Sequence, residues 1–121
     1  MRLIALRGAT TVEANEAEPI LDATEQLMGE LLGRNRLDSD SIVSCIFTLT
    51  QDLDAEFPAV AAREMGLSRV PLLCAREIPV AGALPRVIRV LMHCYPPVGV
   101  NPQHVYLGEA RKLRLDLEGA Q

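Results

Sequence analysis

Arg89 stands in the middle of an apolar run, LPRVIRVLMHC (Leu84 to Cys94). Val87, Ile88, Val90, Leu91 and Met92 suit a buried strand, but a guanidinium keeps its charge at every accessible pH. Burying it unpaired costs several kcal/mol. The position therefore requires an anion, either a carboxylate of the chain or a carboxylate or oxyanion on a ligand. Glu77, a lone carboxylate in apolar company, is the internal candidate for that partner. Arg7, immediately before Gly8, and Arg63, after a Phe-Pro turn, are two further cations whose plainer roles are solvent-exposed ends or surface ion pairs. Cys74 is a possible nucleophile, yet a thiol needs a base or a lowered pKa, and no histidine is near it in sequence. Its plainer role is a small buried hydrophobe. His104 and Tyr106 alternate onto one face of a short strand, where a phenol can donate to a ligand or pack half-buried. Together these are cations, donors and one carboxylate, without a nucleophile–base pair, a metal-ligand spacing or a phosphate loop. Such a set can hold an anion and meet charge with charge.

The elements that must position these residues are legible from periodicity. RLIALRG (Arg2 to Gly8) reads as a first strand, ended by Gly8. A helix follows, with Pro19 in its first turn. Ile20, Ala23, Thr24, Leu27, Met28 and Leu31 fall on one face, and Gly33 and Asn35 end it. After the DSDS turn, IVSCIFTLT (Ile42 to Thr50) is a β-branched second strand. FPAVAAREMG (Phe57 to Gly66) makes a short helix with Pro58 first and Gly66 as its stop. VPLLCAREIP (Val70 to Pro79) is a third strand, the Arg89 segment a fourth, and HVYL (His104 to Leu107) a fifth. In the fourth, alternation puts Val87, Arg89 and Leu91 on one face and Ile88, Val90 and Met92 on the other. In the third it puts Cys74 and Glu77 on opposite faces. The class is α/β or α+β: a mixed sheet of about five strands covered by one long helix.

At 121 residues the chain is expected to form one domain, 1–121, with a mobile tail from about 115. Its hydrophobic fraction is 49% with only 3% aromatic, so the core must be aliphatic. That content in a short chain leaves apolar faces a monomer covers poorly, and an oligomer is expected. The net charge of −4 argues against nucleic acid or an acidic membrane surface as the main partner. The cations are eleven Arg and one Lys, Lys112, a skew suited to planar, bidentate recognition of carboxylate or phosphate and also produced by a GC-rich genome. No apolar run approaches a membrane span, and MRLIALRG is too short and polar for a signal peptide. Three widely spaced cysteines, Cys45, Cys74 and Cys94, fit free thiols in a reducing cytoplasm. His93 and His104 make no metal-ligand spacing with them, so no metal site is expected.

The ordered string RGATTVE (Arg7 to Glu13), DLDAEFPAVAARE (Asp52 to Glu64), VPLLCAREIPVAGALPRVIRVLMH (Val70 to His93) and HVYLGEARKLRLDL (His104 to Leu117) resembles the monofunctional, trimeric chorismate mutases of the mixed α/β class. These are distinct from the all-helical class. The resemblance covers nearly the whole chain. It implies a cytoplasmic isomerase of aromatic amino-acid biosynthesis that converts chorismate to prephenate by a sigmatropic (Claisen) rearrangement. It also implies a homotrimer with a barrel-like core and sites between subunits. The reaction needs no proton transfer, covalent intermediate, cofactor or metal, which accounts for the missing nucleophile–base pair.

The resemblance implies that Arg89 donates to the ether oxygen and a substrate carboxylate, that Arg7 binds a carboxylate, and that Glu77 accepts from the ring hydroxyl. Tyr106 would add a phenolic contact. Cys74 would act mainly through its backbone N–H, with Ala75 and Arg76 beside it. Phe57, Ala59, Arg63, Leu72 and Leu73 would line the pocket from a neighbouring subunit, and Leu113 and Arg114 would close it from the tail. The sequence departs from the family's commoner pattern at Val60, at Leu73 and in RLDL (Arg114 to Leu117). Two rival functions are a non-catalytic trimeric binding module for a small acidic metabolite and a Cys74-dependent transferase or hydrolase.

Overall fold

The computed structural model describes residues 2–113. Arg114 and the tail expected from about 115 lie outside the described residues. Five strands, β1 (Ile4–Thr11), β2 (Ile42–Leu49), β3 (Leu72–Arg76), β4 (Val87–Cys94) and β5 (Val105–Tyr106), form one mixed sheet in the order β3-β2-β4-β1-β5. The central strand β4 is antiparallel to both neighbours, while β5 runs parallel to β1 and β3 parallel to β2. This is the mixed five-stranded α+β arrangement that the alternation of apolar residues implied.

One long helix, α1 (Ala17–Arg34), covers one face of the sheet. Pro19 sits in its first turn, where a missing N–H leaves nothing unsatisfied, and Glu18 and Arg34 match the charges of its two ends. Ile20, Thr24, Leu27, Met28 and Leu31 are buried against Leu6, Phe47, Ile88 and Met92 in the main core. Each such aliphatic side chain contributes roughly 1.5–3 kcal/mol on burial. Asn35 caps the helix from a fully buried position. Its amide donates to the Leu31 and Gln103 carbonyls (both 2.9 Å), and its Oδ1 accepts the Gln103 N–H at 2.8 Å.

The first strand does not end at Gly8 as expected; it continues to Thr11. Gly8 faces α1, and a Cβ there would lie 2.9 Å from Leu31 Cδ1 and 3.0 Å from Val90 Cγ1. The glycine thus serves close helix-to-sheet approach, not a turn. Arg7 is accordingly a mid-strand residue. The short helix is α2 (Pro58–Ala62), followed by a wider turn over Arg63–Leu67 in which Gly66 is left-handed (φ 98). The third, fourth and fifth strands are shorter than their apolar runs. Pro79 and Pro85 flank β3 and β4 outside the ladders, and Pro71, just before β3, contributes its carbonyl alone, which accepts the Cys45 N–H at 3.0 Å.

Among the described residues no long helix covers the second face of the sheet; only the short helical stretch 108–113 lies at its end. Arg7, Ile46, Thr48, Leu73, Ala75, Arg89 and Leu91 lie there by register. At one end Ala110, Tyr106 and Leu113 fold over Ala9 and Val87 in a second, small apolar cluster.

Candidate active site

The open face holds a cleft of about 480 Å³ lined by Arg7, Arg89, Thr48, Leu91, Tyr106 and Leu113. Register brings the polar groups together. Arg89 lies opposite Thr48 of β2 and Ala9 of β1, and Ala9 in turn lies beside Tyr106 of β5. Arg7, opposite Leu91, is a diagonal neighbour of Arg89 on the same face. Small Ala9, only 1% exposed, leaves room between the two cations and the phenol.

Glu77 is the anion that meets Arg89. Its carboxylate accepts from Arg89 Nη1 through one oxygen and from Thr48 Oγ1 at 2.9 Å through the other. The Glu77 N–H is itself tied to the Leu49 carbonyl at 3.0 Å. The Glu77 side chain is 13% exposed and that of Arg89 41% exposed, so the carboxylate is the more deeply held partner. A guanidinium has further N–H donors, and among the described residues the hydrogen bond of Arg89 engages Nη1 alone. The ion pair fixes the arm of Arg89 without consuming its remaining donors.

Arg7 is exposed and has no ion-pair partner among the described residues. Its backbone N–H donates to His104 Nδ1 at 2.9 Å. That acceptor role requires neutral imidazole, and burial, followed by the Arg7 charge, lowers the His104 pKa from its ordinary value. The imidazole thereby extends the short β1–β5 pairing by one side-chain bond, two residues before Tyr106.

A second cleft of about 400 Å³ opens at the β3 edge, lined by Phe57, Cys74, Ala75 and Arg76 with Asp54 and Glu56. Phe57 is 65% exposed there, a large aromatic left uncovered by the described residues. Its loop is pinned by Asn15, whose Oδ1 accepts the Asp54 and Ala55 N–H groups at 2.9 and 3.1 Å. Arg76 Nη1 donates to the Thr50 and Leu53 carbonyls (2.9 and 2.8 Å), so its guanidinium secures the turn after β2. Ala59 is buried in the core, and Arg63, Leu72 and Leu73 line neither cleft. Arg63 and Leu73 are exposed. Arg63 makes no ion pair among the described residues, whereas a surface pair with Glu56 or Glu64 was its plainer role.

Cys74 pairs with Phe47 and packs against the core, on the face opposite Glu77 as alternation requires. The other two thiols, Cys45 and Cys94, are buried. Burial, and next the neighbouring Cys94, push Cys45 up to about 12, and burial raises Cys94. Among the described residues no group of three or more His, Cys, Asp or Glu side chains could hold a metal ion. No helix there is long and apolar enough to cross a membrane.

Thr48 and His104 act at the site in ways the sequence did not disclose. Alternation along IVSCIFTLT places Thr48 beside Ile46 on one face, but its hydrogen bond to Glu77 depends on the β2–β3 register. The bond from Arg7 to His104 joins residues 97 positions apart.

Residues 3–117 match the family model described as chorismate mutase type I. The chain is 50% identical to the chorismate mutase AroH of Thermus thermophilus over 118 residues, covering 96% of this chain and 97% of that protein. It is 40% identical to the chorismate mutase AroH of Bacillus subtilis over 119 residues, covering 97% and 94%. A solved chorismate mutase from Clostridium thermocellum superposes with a TM-score of 0.86 at 46% identity, covering 90% of this chain and 98% of that one. With its mixed sheet, its single covering helix and this full-length likeness, the chain belongs to the type I chorismate mutase family.

Proposed function

We propose that this chain isomerises chorismate to prephenate in the cleft between Arg7 and Arg89, serving aromatic amino-acid biosynthesis in the cytoplasm. The observation that carries the reading is the meeting of Arg7, Arg89, Tyr106 and the Glu77–Thr48 pair on one uncovered sheet face. Chorismate offers two carboxylates, a ring hydroxyl and an enol ether whose oxygen gains negative charge as its C–O bond breaks. Arg7 and the remaining donors of Arg89 hold a carboxylate, and Arg89 meets the charge on the ether oxygen. Glu77, held by Thr48, accepts from the ring hydroxyl, and Tyr106 adds a phenolic donor. The Cys74 backbone N–H contributes without its thiol. Fixed charges of this kind lower the barrier because they need no reorganisation as the bond breaks.

The active assembly is a homotrimer. The open face exposes Leu3, Leu73 and Leu91, and no layer among the described residues covers them. In the trimer the second cleft of one subunit, with Phe57, Cys74 and the nearby Arg63, completes the first cleft of its neighbour. Leu113 closes the site, and Arg114 follows it in sequence. One domain spanning the chain supplies both half-sites. Mixing purified protein with chorismate and following loss of its absorbance tests the reading, with prephenate as the product. Binding without turnover would favour a non-catalytic module instead.

A further inference from the structure

Arg86 has a left-handed backbone (φ 51), which side-chain-bearing residues rarely adopt. Arg36 has a similar angle (φ 52), but it directly follows the Asn35 cap of α1, where such a residue is ordinary. Arg86 ends no helix. It is held in place by its surroundings, as conformations of this kind require. Its N–H donates to both oxygens of Asp52 (3.0 and 3.2 Å), its carbonyl accepts the Val12 N–H at 2.9 Å, and its Nε donates to the Val12 carbonyl at 2.9 Å. Asp52 also accepts from Thr50 Oγ1 at 2.5 Å, and that hydroxyl accepts the Val87 N–H at 2.9 Å. The exit of β2 is thereby stapled to the first residue of β4. Three residues beyond Arg86, β4 carries Arg89.

Glu77 stands at the other end of the same connection, tied to the Leu49 carbonyl. Between the two ends, Ile78 and Val80 are 82% and 65% exposed and only Leu84 packs against the small cluster of Ala9 and Val87, so apolar packing holds the intervening segment at one point. We propose that Asp52, with Thr50, is a positioning residue that sets Arg89 against Glu77 by fixing the left-handed entry to β4. This rests on the reading of the Arg89 cleft as the catalytic one.

The test is steady-state chorismate kinetics per folded enzyme, with melting curves, on the wild type, Asp52→Ala, Asp52→Asn, Thr50→Val and Arg89→Ala. Misplacing a reacting group by about 1 Å can lower kcat about a hundredfold, and a smaller shift about tenfold. Asp52→Ala is expected to show that loss with little change in KM. Asp52→Asn, which keeps one acceptor oxygen, should restore most of it. Thr50→Val, close in shape, should lower kcat in the same direction and decides the matter if Asp52→Ala does not fold. Folded Asp52→Ala and Thr50→Val with wild-type kcat, or with a change in KM alone, would overturn the inference while a dead Arg89→Ala upheld the reading of the cleft. A wild type without turnover would overturn both.

Discussion

The guanidinium of Arg89 and the carboxylate of Glu77 meet across the open face of the sheet, with Thr48 Oγ1 on the second carboxylate oxygen at 2.9 Å. The pair answers why an arginine sits in an apolar strand, and it serves two purposes at once. Each group is held in one geometry before any ligand arrives, and each keeps capacity for a further partner. In the proposed reaction, the arginine that meets the substrate is the one already paired with Glu77.

Cys74→Ser should retain most activity. Its side chain packs against the core beside Phe47, and the proposed role uses a backbone N–H that survives the change. Steady-state kinetics check this. A loss of about a thousandfold in a folded protein would revive a thiol nucleophile.

Stability should depend on His104 in mildly acidic solution. Its folded pKa lies below the ordinary 6.5, with burial the first cause and Arg7 the second. The unfolded state therefore binds the proton first. The stabilising contribution is full above about pH 6.5 and is lost as pH falls through the lower folded value. Denaturant unfolding at pH 8 and pH 5 should show a larger drop for the wild type than for His104→Gln, which does not titrate. Equal drops would remove His104 from the account.

How much of this was legible in the sequence differs from residue to residue. The face of α1 was plain because Ile20, Leu27, Met28 and Leu31 recur at helical spacing, and the faces of β4 followed from alternation around Arg89. Gly8 misled: a glycine in a strand can mark a stop or a close approach, and only the position of Leu31 on the helix above decides between them. Thr48 was not singled out, because its contact with Glu77 depends on which residues of β2 and β3 lie side by side. The second cleft was legible only through the family resemblance, since Phe57 and Cys74 come from a loop and an edge strand far apart in sequence. Alternation alone did foresee that Cys74 and Glu77 part to opposite faces.

The composite site predicts that inactive variants complement each other. Arg7→Ala removes a cation of the first cleft, and Arg63→Ala alters the segment proposed to come from a neighbouring subunit. Mixed after co-refolding, the two should recover a substantial fraction of wild-type activity, because some sites in mixed trimers carry neither change. Light scattering should give about three times the chain mass of 13.2 kDa. A fully active monomer, or no recovery on mixing, would contradict the shared site.

The most direct measurement is the kcat and KM of a variant in which Arg89 is replaced by its neutral isostere, keeping shape and most N–H donors but losing the charge. If Arg89 meets charge that develops on the ether oxygen, kcat should fall roughly 10²–10³-fold, about 3–4 kcal/mol, with a smaller change in KM. Loss of the ionic contact with Glu77 should lower folding stability by no more than about 1–3 kcal/mol, measured in parallel by denaturant unfolding. A healthy kcat with a raised KM, the signature of uniform binding, or an unstable protein with healthy kcat, would contradict the account.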